Sequence, residues 1–233
     1  MQSVKIEGSG NISFGEYDEI KVEGVCRADG KITCKKADID GTFKSTGDMS
    51  VETDFYCDGH MKALGNISAG MADIDGMFTV AGEFSAKTAR IDGSARIDGN
   101  VRCGEIFAEG MLRCGGDINA DRVSCDGYIV ATGTISADII DADGMVSAAG
   151  IVGDDITIRS RVGRISRRFF AKRSIVDLIE ATKINLTNVY AKTVNGHDVT
   201  IGPKCRIESV DCTGELFIDP SAVVDHVTRA TEA

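Results

Sequence analysis

Eight carboxylates recur along this chain at a fixed spacing. Glu23, Asp40, Asp58, Asp75, Asp92, Glu109, Asp126 and Asp143 follow one another at a step of 17, with a single step of 18. A stacked row of carboxylates could hold divalent cations or receive a basic partner. It could also be a row of turns, because Asp before Gly is a good corner pair whose carboxylate accepts local backbone N–H bonds. Like charges stacked on one another are unfavourable. Nothing nearby marks a defined metal site, and the G-G-x-G-x-D calcium pattern is absent. The corner role is the expectation for Asp40, Asp58, Asp75, Asp92, Asp126 and Asp143, and no metal or cofactor is assigned.

The remaining candidates for chemistry are sparse. The three histidines are His60, His197 and His226, none close in sequence to a cluster of catalytic partners. A hexapeptide-type acyltransferase would use a histidine facing a groove between subunits, and His60 and His197 are the candidates for that role. There is no Gly-x-Ser-x-Gly elbow, no Walker sequence and no H-E-x-x-H. Eight cysteines suggest a disulfide or metal framework, but Cys26, Cys34, Cys57, Cys103, Cys114 and Cys125 fall at positions otherwise held by apolar residues. Cys34 and Cys103 share a column four rungs apart, roughly 19 Å at about 4.8 Å per rung, beyond the ~7 Å limit for a bridge. They are expected to be reduced, buried hydrophobes.

One window concentrates positive charge. Arg159, Arg161, Arg164, Arg167, Arg168, Lys172 and Arg173 surround Phe169 and Phe170 with no intervening acid. Apolar anchors set in cationic charge suit an anionic membrane surface or an acidic protein partner. The two phenylalanines could instead cover an exposed rung edge.

The elements that must position these groups follow from the glycines. Gly24, Gly41, Gly59, Gly76, Gly93, Gly110, Gly127 and Gly144 share the spacing of the carboxylates, and a second series, Gly30 to Gly150, lies six positions later. Self-similarity at a short fixed period marks a stacked solenoid. Apolar columns run two places before the first glycine (Val22, Ile39, Cys57, Ile74), two after it (Cys26, Phe43, Met61, Phe78) and eight after it (Ile32, Met49, Ile67, Phe84, continuing to Val152). Local alternation has a period of two, so the segments are short strands. Three strands and three corners fit in one rung, with glycine at corners where a positive φ is cheap. Three equal sides of six would make a left-handed helix that closes in 18. A rung closing in 17 favours an all-β, right-handed, three-sided parallel β-helix.

The expected organisation is an N-terminal cap or imperfect first rung at 1–20, regular rungs at 21–158, a basic inserted loop at 159–176, terminal rungs at 177–219 and a flexible tail at 220–233. The spacing of 17 is expected to resume at Ile184, Ile201 and Ile218.

Composition narrows the function. Hydrophobic residues make up 42% and aromatics only 6%, which suits a narrow core of small side chains. The net charge of −10 disfavours nucleic acid and anionic lipid as partners, except at a local basic patch. The first residues contain no apolar signal segment, and no stretch reaches the ~18 apolar residues of a membrane span. The expected location is the cytoplasm, with the inner face of the cell membrane as the surface the basic window would suit.

The repeated corners Ile39-Asp40-Gly41, Ile74-Asp75-Gly76 and Ile91-Asp92-Gly93, together with the segment from Ile179 through Val194-Asn195-Gly196-His197 to Val210, resemble the bactofilins, polymer-forming cytoskeletal proteins of bacteria. The resemblance covers most of residues 20–218. It implies a right-handed β-helix that polymerises end to end through its terminal rungs without nucleotide. It also implies a scaffold for envelope-building or membrane-associated machinery, with itself, a paralogue or envelope proteins as partners and no enzymatic activity.

An apolar column that runs to each end without a long polar cap points to the assembly contacts. Ile6, Ile12 and Phe14 are the candidates at one end, and Leu216, Phe217 and Ile218 at the other. The alternatives are a non-polymerising adaptor that docks through the basic window, and an acyltransferase.

Overall fold

The computed structural model describes residues 2–160 and 173–229. Every regular element among them is a β-strand, and the strand pairings are parallel. The chain divides into two compact units, Met1–Gly116 and Asp117–Ala233.

The N-terminal unit holds β1 (Gln2–Ile6), β2 (Ser9–Val22), β3 (Val25–Ile39), β4 (Thr42–Ser45), β5 (Met49–Cys57), β6 (His60–Ala63), β7 (Ile67–Ile74), β8 (Met77–Val80), β9 (Phe84–Ile91), β10 (Ser94–Ile97), β11 (Val101–Ala108) and β12 (Met111–Cys114). The C-terminal unit holds β13 (Ile118–Cys125), β14 (Tyr128–Ala131), β15 (Thr134–Ala142), β16 (Met145–Ile158), β17 (Ser174–Leu186), β18 (Val189–Ile201), β19 (Arg206–Cys212), β20 (Leu216–Ile218) and β21 (Val223–Arg229).

Each unit is a parallel β-solenoid. From Val25 onward in the N-terminal unit each strand pairs with its own copy one period away, as Ser94 does with Met77 and Met111. Pairing falls into three short segments per turn: Ser94–Ile97, Val101–Cys103 and Glu105–Ala108 in one example. The one longer step is absorbed by a bulge in β5, where the register shifts between Val51 and Asp54. The three apolar columns lie inside, and each rung covers its neighbours' apolar face. Phe78 packs between Phe55 and Phe84 with ring centroids 5.6 and 5.3 Å apart.

The corner glycines are required for a reason other than φ. Of the two series only Gly30 has a positive φ, 86°. A Cβ added at Gly41 would lie 2.0 Å from the carbonyl oxygen of Gly24, and one at Gly76 would lie 2.1 Å from that of Gly59. The backbone of each corner rests directly on the corner below. Gly76 N donates to the Cys57 carbonyl at 2.8 Å and Met77 N to the Gly59 carbonyl at 2.9 Å. Glycine is needed because nothing larger fits between the stacked corners.

The C-terminal unit departs from the fixed spacing. Ile135 pairs with Ile151, one place short, so Ile151 takes the core place expected of Val152, which is 36% exposed. Ile151 then pairs with Ile179, far beyond one period, because the turn contains the segment between β16 and β17. The expected series Ile184, Ile201, Ile218 holds only in its second step, where Ile201 pairs with Ile218. Ile184 pairs with Val199, and it is Leu186 that pairs with Ile201. Residues 223–229 are not a free tail but a strand, β21, paired with β19.

Candidate assembly and docking surfaces

Each unit carries one terminal edge. At the N-terminal edge, β1 pairs only with β2, and Ser9–Ser13 of β2 have a strand partner on one side alone among the described residues. Phe14 beside them is 75% exposed. Ile12 is buried and Ile6 half-buried, with its side chain lying over Gly10. Of the three residues expected there, only Phe14 presents a large apolar surface outward.

At the C-terminal edge, β20 pairs only with β18 and β21 only with β19 among the described residues. Phe217 is 58% exposed, while Leu216 and Ile218 are half-buried. The sequence reading missed the rest of this edge: Val223 and Val227 of β21 are 50% and 47% exposed. The available signal was their spacing, which puts Val223 and Val227 on one face of a strand, and it was hidden behind Pro220. Both edges leave a row of backbone N–H and C=O groups available to another strand.

The last described residues before position 161 of the basic window, Arg159 and Ser160, stand at a corner. Arg159 takes the place of the carboxylate and Ser160 the place of the glycine, with φ at 31°. Ser174 stands in the buried column occupied by Val146 one rung earlier. Its hydroxyl meets that of Ser160 at 2.6 Å and accepts from Val146 N at 3.0 Å. Asn188 Nδ2 donates to the Ser160 carbonyl at 3.1 Å. These contacts pin both ends of the excursion. The docking residues Arg161, Arg164, Arg167, Arg168, Phe169, Phe170 and Lys172 lie outside the described residues. Arg173 is exposed. Arg159 does not present its charge outward as expected, because its guanidinium binds the carboxylates of Asp141 and Asp143.

The carboxylate row differs from the corner role expected of it. Asp40, Asp58, Asp75 and Asp92 accept no backbone N–H bond among the described residues. That role belongs to the next corner, where Asp48 Oδ1 accepts from Asn66 N at 2.7 Å and Asn66 Oδ1 from Glu83 N at 2.8 Å. In the C-terminal unit Asp117 and Asp198 repeat it.

Cations compensate one end of the row. Lys21 lies 3.5 Å from Glu23, 3.2 Å from Asp38 and 3.6 Å from Asp40. Asp58, Asp75, Asp92 and Glu109 are exposed and without an ion-pair partner among the described residues. Partial burial, then repulsion from Asp75 and Asp40, pushes the Asp58 carboxyl up, and burial with Asp75 and Asp92 does the same to Asp73. No group of three or more metal-ligating side chains occurs among the described residues.

A second charged column was missed. Arg27, Lys44, Lys62, Arg96 and Arg113 stand three places after the corner glycine on successive rungs of the N-terminal unit, with Thr79 the one neutral member. All five cations are exposed. Arg27 and Arg96 pair with Asp29 and Asp98 on their own rungs, at 3.1 and 3.0 Å. The signal was legible at the period of the glycines, had outward positions been aligned as the inward ones were.

His60 is exposed on β6. His197 on β18 has Nδ1 3.0 Å from Thr213 Oγ1 and Nε2 4.0 Å from Asp198. It borders an open depression of about 500 Å³ floored by Gly153, Ala181 and Gly196, with Glu180, Asn195 and Asp211 around it. All eight cysteines are buried and unbridged, and burial pushes the Cys34, Cys57, Cys103 and Cys125 thiols up to about 12. Such thiols are poor nucleophiles and poor metal ligands at neutral pH.

No helix among the described residues is long and apolar enough to cross a membrane. No family model matches the chain, and no solved structure matches it. Two proteins of Bacillus subtilis (strain 168) are similar to parts of it. "Uncharacterized protein YhbE" is 51% identical over 53 residues, 23% of this chain and 22% of that protein. "Uncharacterized protein YhbF" is 31% identical over 74 residues, 32% of this chain and 31% of that protein. The chain thus spans less than a third of each of these relatives.

Proposed function

We propose that this protein is a self-assembling scaffold, a bactofilin-like subunit that polymerises end to end through its terminal rungs and does no catalysis. The observation that carries this reading is the pair of edges whose outer strands have a strand partner on one side alone among the described residues. Each presents unpaired backbone groups beside exposed apolar side chains: Phe14 at one, and Phe217, Val223 and Val227 at the other. A strand edge of this kind recruits another strand unless something blunts it. Nearest-neighbour stacking would let a second copy continue the ladder with the interactions that already join rungs. No step in that process calls for a nucleotide. In this reading the polymer gathers envelope or membrane-associated proteins at the cytoplasmic face of the membrane, with a paralogue as a second component.

The test is sedimentation of the purified full chain with and without Phe217→Arg. A charge at this position faces solvent in the free subunit and is buried in the joined one. The wild type is expected to pellet without nucleotide and the variant to stay in the supernatant. Equal pelleting of both would remove the β20–β21 edge as the contact.

A further inference from the structure

We infer that the short-strand face of the N-terminal unit is a lateral pairing surface for a second copy of this chain, joined side by side with both solenoids running in the same direction. The face is built from the start of β3 and from β4, β6, β8, β10 and β12. Its two margins carry opposite charge. Glu23, Asp40, Asp58, Asp75, Asp92 and Glu109 line the corner on one margin, and Arg27, Lys44, Lys62, Arg96 and Arg113 run near the other. Between them, one place past the glycine, lies an outward column that includes the exposed apolar residues Val25 and Met77.

Two features select the partner. First, both charged columns repeat at the rung spacing of about 4.8 Å, so a second copy is commensurate with the first on every rung. Few other partners would be. Second, the order of charge across the face decides the orientation. A two-fold axis parallel to the stack places the acidic margin of each copy on the basic margin of the other. An axis perpendicular to the stack, which would run the copies in opposite directions, places acid on acid and base on base. Complementary potentials of this kind fix register and suppress the wrong pairing. A linear polyanion could engage the basic column but would meet the exposed carboxylates of Asp58, Asp75, Asp92 and Glu109 on the same face.

The area is small. The short strands of the stacked rungs together present roughly 400 Å² per copy, about half of a standard interface. Free subunits should therefore pair weakly, and copies already joined in series should pair tightly through repetition. The inference does not depend on end-to-end joining.

A disulfide trap reads weak pairing in the full chain, because the native cysteines are buried. Parallel pairing sets position 42 against position 42. Antiparallel pairing sets it against position 94. Thr42→Cys alone is expected to cross-link under mild oxidation, in the wild-type and in the Phe217→Arg background, with a yield falling roughly tenfold at high salt. Combining Lys44→Glu with Lys62→Glu in that protein should lower the yield similarly. Mixing it with a Thr42→Cys protein carrying Asp40→Lys and Asp58→Lys should restore it, since these positions stand against 44 and 62 across the pairing. The inference is overturned if Thr42→Cys does not cross-link, if cross-linking needs a mixture of Thr42→Cys with Ser94→Cys, or if the reversed pair fails to recover. It is also overturned if polyphosphate binds the basic column while no cross-link forms, which would assign this face to a polyanion.

Discussion

The two units build the same solenoid under different constraints. In the N-terminal unit each rung from Val25 onward keeps one period, apart from the single longer step at β5, so side chains stack on their counterparts. The result is a set of regular columns: aromatic and aliphatic inside, glycine at the corner, acid on one margin and, apart from Thr79, base on the other. In the C-terminal unit the offsets run 17, 16, 28, 15, 16 and again 17, and columns break. Core phenylalanines are confined to the N-terminal unit among the described residues. The carboxylate column ends at Arg159, and the position of the basic column is held by Val130 and Ser147. Regular spacing builds long uniform surfaces suited to repetitive contacts, whereas variable spacing makes room for an excursion and a closing edge.

Exchanging the defining feature of each unit tests that contrast. The largest effect is expected at a corner glycine of the regular unit. Gly76→Ala drives a methyl into the Gly59 carbonyl and should cost about 3 kcal/mol, read as a lowered denaturation midpoint. An unchanged midpoint would mean that corners relax freely and that the spacing is not sterically enforced.

Next is the neck of the excursion in the irregular unit. Ser174→Ala leaves Val146 N–H and the Ser160 hydroxyl without their buried partner and should cost about 2 kcal/mol. Hydrogen exchange should locate the loss at Val146 and the strands beside it.

Smaller effects of opposite sign are expected along the carboxylate row. Arg159→Ala uncovers Asp141 and Asp143 and should destabilise by about 1 kcal/mol at low salt, less at high salt. Asp58→Asn should stabilise by about 0.5 kcal/mol at pH 7. The folded carboxyl of Asp58 titrates above its unfolded value, so the native state holds the extra proton between the two. Stability therefore falls as pH rises through that window, and the gain from Asp58→Asn should disappear only well below the unfolded carboxyl value of about 3.9. A gain independent of pH would show that repulsion along the row is not its source.

Much of the fold was legible because a solenoid repeats its own evidence. Phe43, Met61 and Phe78 each bury the same face at the same offset, so the period and inward columns could be read directly. The register after the excursion could not. Val199 and Ile201 are both apolar and lie on one strand face, so a slip of two places keeps the same face inside, and the apolar pattern cannot tell Ile184–Val199 from Ile184–Ile201. Ile151 and Val152 are adjacent and both apolar, which hid the shortening before them. Corner glycines suggested positive φ, but their cause is the carbonyl of the rung below, a contact made a full period away in the chain. Of the surfaces, Phe14 and Phe217 were found from the ends of the apolar columns. The basic column and the Ser160–Ser174 neck were not, because their meaning rests on what stacks above and below them.

The central claim is that bare edges join subunits in series. Negative-stain electron microscopy of the purified full chain, without nucleotide and across a salt series, tests it most directly. The account predicts long unbranched filaments, lost in Phe217→Arg. Discrete particles at every salt concentration would contradict it.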